Sequence, residues 1–98
     1  MDYNYVAVEG VLYKPPEINK TDGKTIVRFN VSVKRRSGLG EYERPRVCVY
    51  NQKLASLCKA KLKMDSHILV IGHLKTNTYK NGAGFSTEII AEQVLFFD

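Results

Sequence analysis

The chain has 98 residues, enough for one domain with a modest hydrophobic core and too few for two. Hydrophobic residues make up 44% of it and prolines number only three, a composition that argues against intrinsic disorder. The 15 Lys and Arg residues outnumber the 10 Asp and Glu residues, and the net charge of +5 favours a polyanionic partner.

The two cysteines, Cys48 and Cys58, have neither the Cys-x-x-Cys spacing of redox and zinc sites nor a secretion signal before them. We therefore expect buried free thiols in a protein of the reducing cytoplasm. No apolar run approaches the roughly 18 residues needed to cross a bilayer, so we expect no membrane partner.

The first strand is predicted over residues 3–13, a segment rich in Tyr and Val that contains no proline. Gly10 within it predicts a bulge or sharp bend, which a small barrel needs at its corners. Pro15 and Pro16 end the strand because neither can donate a hydrogen bond to a ladder. The Asp22-Gly23 pair then predicts a turn.

The second strand is predicted over residues 27–34, where apolar and polar residues alternate strictly. The buried face takes every second residue: Val27, Phe29, Val31 and Val33. The outer face is polar and positive: Arg28, Asn30, Ser32 and Lys34. After a basic loop over residues 35–40, a third strand over residues 44–50 places Val47 and Val49 on one face and Arg46, Cys48 and Tyr50 on the other.

Over residues 52–63 the spacing of apolar residues changes from two to three and four, which predicts one short amphipathic helix. The apolar stripe consists of Leu54, Leu57, Cys58 and Leu62. A fourth strand follows over residues 68–75, then an Asn81-Gly82 hairpin tip and a fifth strand over residues 85–91 that continues irregularly to Phe97. Three strands, one helix and two strands form the order of an OB-fold. We therefore predict an all-β domain over residues 1–98: a five-stranded Greek-key barrel with a helix between strands three and four.

Several motifs resemble the bacterial single-stranded DNA-binding proteins, in the right order along almost the whole chain. They include Val8-Glu9-Gly10-Val11-Leu12, Phe29-Asn30-Val31-Ser32-Val33, Ile71-Gly72-His73-Leu74-Lys75-Thr76 and Thr87-Glu88-Ile89-Ile90-Ala91. The tail-less primosomal replication protein of the same fold is also similar, especially around Ala91-Glu92-Gln93-Val94. The resemblance implies an OB-fold that binds single-stranded DNA.

The sequence departs from the family pattern in three respects. The family usually stacks bases on tryptophans, and this chain has none. The segment 50–53, between the third strand and the helix, is one residue longer than usual. Family members also usually carry a flexible tail with an acidic tip that recruits partner enzymes. Here the sequence ends at Phe96-Phe97-Asp98, so we expect no recruitment through such a tail.

A single strand offers a phosphate at every nucleotide and a flat face on every base, which sequence-tolerant binders contact with cations and aromatic rings. The candidate phosphate-binding residues are Arg28, Lys34, Arg35, Arg36, Arg44, Arg46, Lys75 and Lys80. The candidate stacking residues are Tyr42, Tyr50 and Tyr79, because each lies near cations, and Tyr79 matches a family position that stacks bases. Tyr13 and Phe85 are weaker candidates. The alternative for the cations is an ordinary solvated face, which is the better interpretation for the helix lysines: Lys53, Lys59, Lys61 and Lys63.

The sequence holds no Walker loop, no dinucleotide-binding fingerprint and no Ser or Cys with a credible base. The acidic residues look like isolated surface charges. His67 and His73 are six residues apart on one strand, too far apart to chelate an ion without a third ligand. We therefore expect a binder and not an enzyme, with no cofactor, no metal and no small-molecule substrate.

Two functions from different classes follow, with a third as a further alternative. The first is sequence-nonspecific binding and protection of single-stranded DNA in replication, recombination or repair, in the cytoplasm and associated with the nucleoid. Relatives of this fold are homo-oligomers, which implies a dimer or tetramer with candidate contacts at Tyr3, Tyr5, Val6 and Val8. The alternative is an adaptor that assembles with primosome or other replication proteins, with DNA binding secondary. An RNA-binding domain is a third, distinguished by a preference for RNA over DNA.

Overall fold

The computed structural model describes residues 3–36, 40–78, 82 and 84–97. These residues form seven strands and one helix. The elements in chain order are β1 (Val6–Leu12), β2 (Glu17–Thr21), β3 (Lys24–Lys34), β4 (Tyr42–Glu43), β5 (Arg46–Val49), α1 (Gln52–Lys61), β6 (His67–Thr78) and β7 (Phe85–Phe96).

The strands form one curved sheet in which hydrogen-bonded neighbours run β1–β6–β7–β5–β3–β2, with β4 paired to β3. β1 also pairs with β3, so the path of paired strands returns to β1. The β5–β7 pairing is parallel, with Val47 opposite Ile89, and the other pairings are antiparallel. The five main strands and the helix between the third and fourth of them confirm the predicted OB-fold.

The core lies inside this sheet and under α1. The predicted alternation places most of its residues, but Val33 is only partly buried, and Cys48, predicted on the face of Arg46 and Tyr50, is fully buried. Val27, Phe29 and Val31 of β3 are buried, as are Val47 and Val49 of β5. The other strands and the helix complete the core with Leu12, Ala55, Cys58, Leu62, Ile68, Val70, Ile89, Ala91 and Val94. Both thiols are free and buried, as predicted.

The structure contains two strands that the sequence analysis did not predict. β2 forms a hairpin with β3 around the predicted Asp22-Gly23 turn, where both residues adopt positive φ (51° and 76°). All five residues of β2 are exposed, so the strand lacks the alternation of apolar and polar residues that would predict it. β4 consists of two residues, Tyr42 and Glu43, paired with the end of β3.

Helix α1 begins where Asn51 caps it, because the Asn51 side chain accepts a hydrogen bond from the Leu54 backbone N–H at 3.0 Å. Its buried side chains are Ala55 and Cys58, followed by Leu62 at the C-cap. The prediction that Leu57 belongs to the buried stripe is wrong: it is 42% exposed. Ala55 takes the buried position instead, since it shares a face with Cys58 and Leu62. Within the described residues, no helix is long and apolar enough to span a membrane.

Two glycines permit close approach between strands. A Cβ on Gly10 would lie 2.1 Å from the Ser32 carbonyl oxygen, at the point where β1 passes from pairing with β6 to pairing with β3. A Cβ on Gly72 would lie 1.9 Å from the Ile90 carbonyl oxygen, and the β6–β7 register shifts between Ile71 and Gly72. Any side chain at either position would force backbones apart.

Candidate nucleic-acid interface

Outward-facing side chains of β3 and β5, with neighbours from β6, form one polar and mainly cationic surface. The register places Arg28 opposite Cys48 and Asn30 opposite Arg46. We call this surface the β3–β5 face and define it by six residues: Arg28, Asn30, Arg44, Arg46, Tyr50 and Lys75. Five of these were predicted as binding residues, and the folding of the sheet brings them together.

Tyr50 lies at one end of the β3–β5 face with two cations against its ring. The Arg28 guanidinium carbon is 6.0 Å from the ring centroid, and the Lys75 ammonium nitrogen is 5.6 Å from it. A guanidinium nitrogen of Arg28 also donates a hydrogen bond to the Tyr50 hydroxyl at 3.5 Å. Tyr50 is only half-buried, so an aromatic surface and two positive charges are available at one place.

A carboxylate lies beneath the cations of this face. The Glu88 side chain, 11% exposed, accepts hydrogen bonds from the Cys48 thiol at 2.8 Å and the Asn77 amide at 3.0 Å. The same carboxylate pairs with Arg46 at 3.7 Å. Burial alone would raise the pKa of Glu88, but the hydrogen bonds and the charges of Arg28 and Arg46 outweigh burial and lower that pKa. Glu88 is therefore a structural counter-ion of the face.

The pKa of the Cys48 thiol, unlike that of Glu88, is raised by its surroundings. Burial, and then the hydrogen bond and negative charge of Glu88, raise the pKa of Cys48, and the charge of Arg28 only partly offsets them. Burial also raises the pKa of Cys58 to about 11. Both thiols stay protonated at neutral pH, which is typical of structural cysteines.

A second aromatic ring, Tyr13, lies at the other side of the face. The Arg44 guanidinium carbon is 4.8 Å from its ring centroid, and the Lys14 ammonium nitrogen is 5.6 Å from it. A shallow depression, open to solvent, is lined by Lys14, Pro15, Glu17, Arg28, Phe29, Asn30 and Arg46. Tyr13 was only a weak candidate from sequence, and its contact with Arg44 joins residues that are distant along the chain.

The remaining predicted residues lie at the β3–β4 end of the sheet. Lys34 is exposed and opposite Tyr42, which is 49% exposed, and Arg36 is exposed in the turn. Arg35 forms ion pairs with Glu41 and with Glu43, the latter at 3.0 Å, so its charge is largely neutralised. Tyr79 and Lys80 lie outside the described residues and stay predictions.

Sequence reasoning missed Glu88. The acidic residues were interpreted as isolated surface charges, which is wrong for this one because its carboxylate is almost fully covered. The only local signal is its position in β7, directly before the buried Ile89, in a segment of near-alternating pattern. The two histidines pair with surface carboxylates, His67 with Glu9 at 2.9 Å and His73 with Glu92 at 2.7 Å. Among the described residues, no cluster of side chains could hold a metal ion.

Comparisons with known proteins match this chain to one family and one fold. The model of the single-strand binding protein family matches residues 3–97. The chain is 30% identical over 107 residues to single-stranded DNA-binding protein 2 of Chlorobaculum tepidum, an alignment that covers 99% of this chain and 72% of that protein. Its fold is similar to that of a Plasmodium falciparum SSB solved in complex with ssDNA. The TM-score is 0.84 at 22% identity, and the match covers 100% of this chain and 97% of that one.

Proposed function

Because this chain belongs to the single-strand binding protein family, we propose that it binds single-stranded DNA through the β3–β5 face, without sequence preference. Its role would be to protect transient single strands in DNA replication, recombination or repair in the cytoplasm. The observation that carries the proposal is the Tyr50 ring with Arg28 and Lys75 against it. That arrangement offers a stacking surface and phosphate-binding charges at one point.

The chemistry of the face supports binding that tolerates any sequence. Every base has a π-face that can stack on tyrosine, and every nucleotide carries a phosphate that an arginine or lysine can contact. Reading a base would instead require donors and acceptors aligned with its edge. Rings and cations dominate here, and the one amide of the face, Asn30, donates to the Arg44 carbonyl oxygen at 3.0 Å. We therefore expect similar affinities for oligo-dT, oligo-dC and mixed sequences.

We further propose that the chain works as a homo-oligomer. Several large apolar side chains of the β1, β6 and β7 region and its flanks are exposed: Tyr3 (86%), Tyr5 (56%), Leu95 (47%) and Phe97 (52%). Of the four contacts predicted from sequence, Tyr3 and Tyr5 are free for a partner, whereas Val6 and Val8 pack partly against the core. Linking several DNA-binding faces in one particle would raise the overall affinity for a long strand. Light scattering coupled to size-exclusion chromatography measures the particle mass directly.

The test of DNA binding is fluorescence anisotropy of labelled oligo-dT titrated with the protein at several salt concentrations. Duplex DNA and oligo-rU of equal length serve as competitors. The proposal predicts tight, salt-sensitive binding to oligo-dT and much weaker binding to the duplex, whose bases are not free to stack. Weak binding to all three ligands at low salt would contradict the proposal and favour the adaptor function. A clear preference for oligo-rU would favour the RNA-binding function.

A further inference from the structure

We propose that Tyr13 and Arg44 form a second base-stacking site for the same DNA strand, separate from Tyr50. This site depends on the proposed function, since its ligand is another nucleobase of the single strand bound to the β3–β5 face. The chain has no tryptophan, so a stacking surface must come from other planar side chains. A tyrosine ring combined with a guanidinium plane supplies one, because bases stack on both groups.

Arg44 is held in position against the Tyr13 ring. Its guanidinium carbon lies 4.8 Å from the ring centroid, and its Nε donates to the Ser32 hydroxyl at 3.3 Å. Its own backbone carbonyl accepts a hydrogen bond from the Asn30 amide at 3.0 Å. Three separate contacts therefore fix the side chain and backbone of Arg44, which lowers the entropy cost of presenting it to a ligand.

Arg44 has no acidic partner among the described residues, unlike two other arginines near it. Arg35 pairs with Glu41 and Glu43, and Arg46 pairs with Glu88. Within the described ranges, by contrast, no carboxylate lies within 4.0 Å of the Arg44 guanidinium. Arg44 is exposed on the surface of the sheet. A guanidinium that lies on an aromatic ring and has no acidic partner suits a base together with its phosphate.

Packing does not account for the position of Tyr13. The residue follows β1 directly, is 42% exposed, and belongs to the exposed large side chains and not to the core cluster. Pro15, two residues later, restricts the backbone of the intervening Lys14 and limits how far this segment can move. A fixed, half-exposed ring with a cation against it is the arrangement that stacking sites for bases require.

The two rings are far enough apart to hold different bases. Leu12 is opposite Val31 on β3, so Tyr13 lies near Asn30, whereas Val49 is opposite Val27, so Tyr50 lies near Ile26. Four residues of a strand span about 13 Å at 3.3 Å per residue. Lys14, Arg28 and Arg46 line the depression in the same region and supply charges for the connecting phosphates. The two rings and these cations therefore define a path across the sheet.

The absence of tryptophan allows a specific optical test. Tyr13→Trp introduces the only tryptophan of the chain at the proposed site, and Leu57→Trp introduces it on the exposed side of α1 as a matched control. Each variant is titrated with labelled oligo-dT while tryptophan emission and strand anisotropy are recorded together. We expect the emission of Tyr13→Trp to be quenched as anisotropy rises, because a stacked base quenches indole fluorescence, and the emission of Leu57→Trp to stay constant.

A second variant measures the contribution to affinity. Tyr13→Leu keeps an apolar side chain but removes the ring, and we expect it to bind oligo-dT about tenfold more weakly, while thermal unfolding shows the fold intact. If the wild-type protein binds oligo-dT but the emission of Tyr13→Trp does not change and Tyr13→Leu binds as tightly as wild type, the second site is wrong and the proposed function stands. If the wild-type protein does not bind oligo-dT, the proposed function fails and the second site fails with it.

Discussion

The Cys48 thiol lies 2.8 Å from a carboxylate oxygen of Glu88, so a buried neutral group and a buried charged group meet beneath the cations of the β3–β5 face. The same carboxylate oxygen lies 3.7 Å from Nε of Arg46, and the other oxygen accepts from Asn77. Glu88 of β7 therefore links β5 and β6 through hydrogen bonds beneath the proposed DNA site. Its charge is balanced by arginines that a DNA strand would also contact.

Replacing this carboxylate should destabilise the protein in a pH-dependent way. Glu88→Gln keeps the size of the side chain but loses the charge and one acceptor, and we expect a loss of about 1–3 kcal/mol in the free energy of unfolding at neutral pH. Because the pKa of Glu88 is lowered in the folded protein, its stabilising contribution is full at neutral pH and is lost as the pH falls through that folded pKa. The difference between wild type and variant should therefore shrink as the pH falls below 4.5, the ordinary pKa of a glutamate.

Urea denaturation at several pH values measures this difference. Glu17→Gln is the matched control, since Glu17 is exposed on β2 and removing its charge should change stability by less than about 0.5 kcal/mol. A Glu88→Gln effect of the same size at every pH would show that lost packing, and not the ionised carboxylate, is responsible.

Tyr50 should contribute through its ring and only slightly through its hydroxyl. Tyr50→Leu removes the stacking surface, and we expect affinity for oligo-dT to fall about tenfold. Tyr50→Phe removes only the 3.5 Å bond to Arg28 and should change affinity by about twofold or less. Anisotropy titrations of both variants distinguish the two contributions; equal losses would mean that the hydroxyl, and not the ring, carries the interaction.

Replacing Arg28 and replacing Arg35 should have different effects on the salt dependence of DNA binding. Arg28 lies on the face with no carboxylate within 4.0 Å in the described part of the chain, and Arg28→Gln should reduce the slope of log affinity against log salt by about 0.7, one phosphate contact. Arg35 is already paired with two glutamates, so Arg35→Gln should leave the slope almost unchanged. The reverse order would place the strand at the β3–β4 end and not on the β3–β5 face.

The close approach at Gly72 gives a prediction about the fold. A methyl group there would lie 1.9 Å from the Ile90 carbonyl oxygen, so Gly72→Ala must separate β6 from β7 or shift their register. We expect a loss of about 2 kcal/mol or more in the free energy of unfolding. Gln93→Ala, at an exposed position of β7, should cost less than about 0.5 kcal/mol in the same thermal or urea unfolding measurement. Equal stabilities would refute the close approach.

The parts of this fold that sequence reasoning predicts are those with a local pattern. Strict alternation from Val27 to Val33 identifies β3 and its two faces, and the change of period after Tyr50 identifies α1. β2 has no such pattern because both of its faces are exposed. Leu57 fits a helical stripe as well as Ala55 does, and only the docking of α1 on the sheet decides which one is buried.

The candidate site also contains some residues that the local sequence predicts and some contacts that it does not. Arg28, Arg46 and Tyr50 could be placed on one surface because the alternation of β3 and β5, which Tyr50 directly follows, sets which way each side chain faces. The contact of Arg44 with Tyr13 depends on where β1 crosses β3, and that of Glu88 with Cys48 depends on the parallel β5–β7 register. Neither contact can be predicted from the local sequence, since both join segments that are distant along the chain.

The claim that a single DNA strand lies on the β3–β5 face can be tested residue by residue, by NMR titration of ¹⁵N-labelled protein with short oligo-dT. We predict that the largest amide shift changes fall on Arg28, Asn30, Arg44, Arg46 and Tyr50, and that the amides of α1 change little. The largest changes on α1, or no changes at DNA concentrations that saturate binding in anisotropy, would contradict the claim.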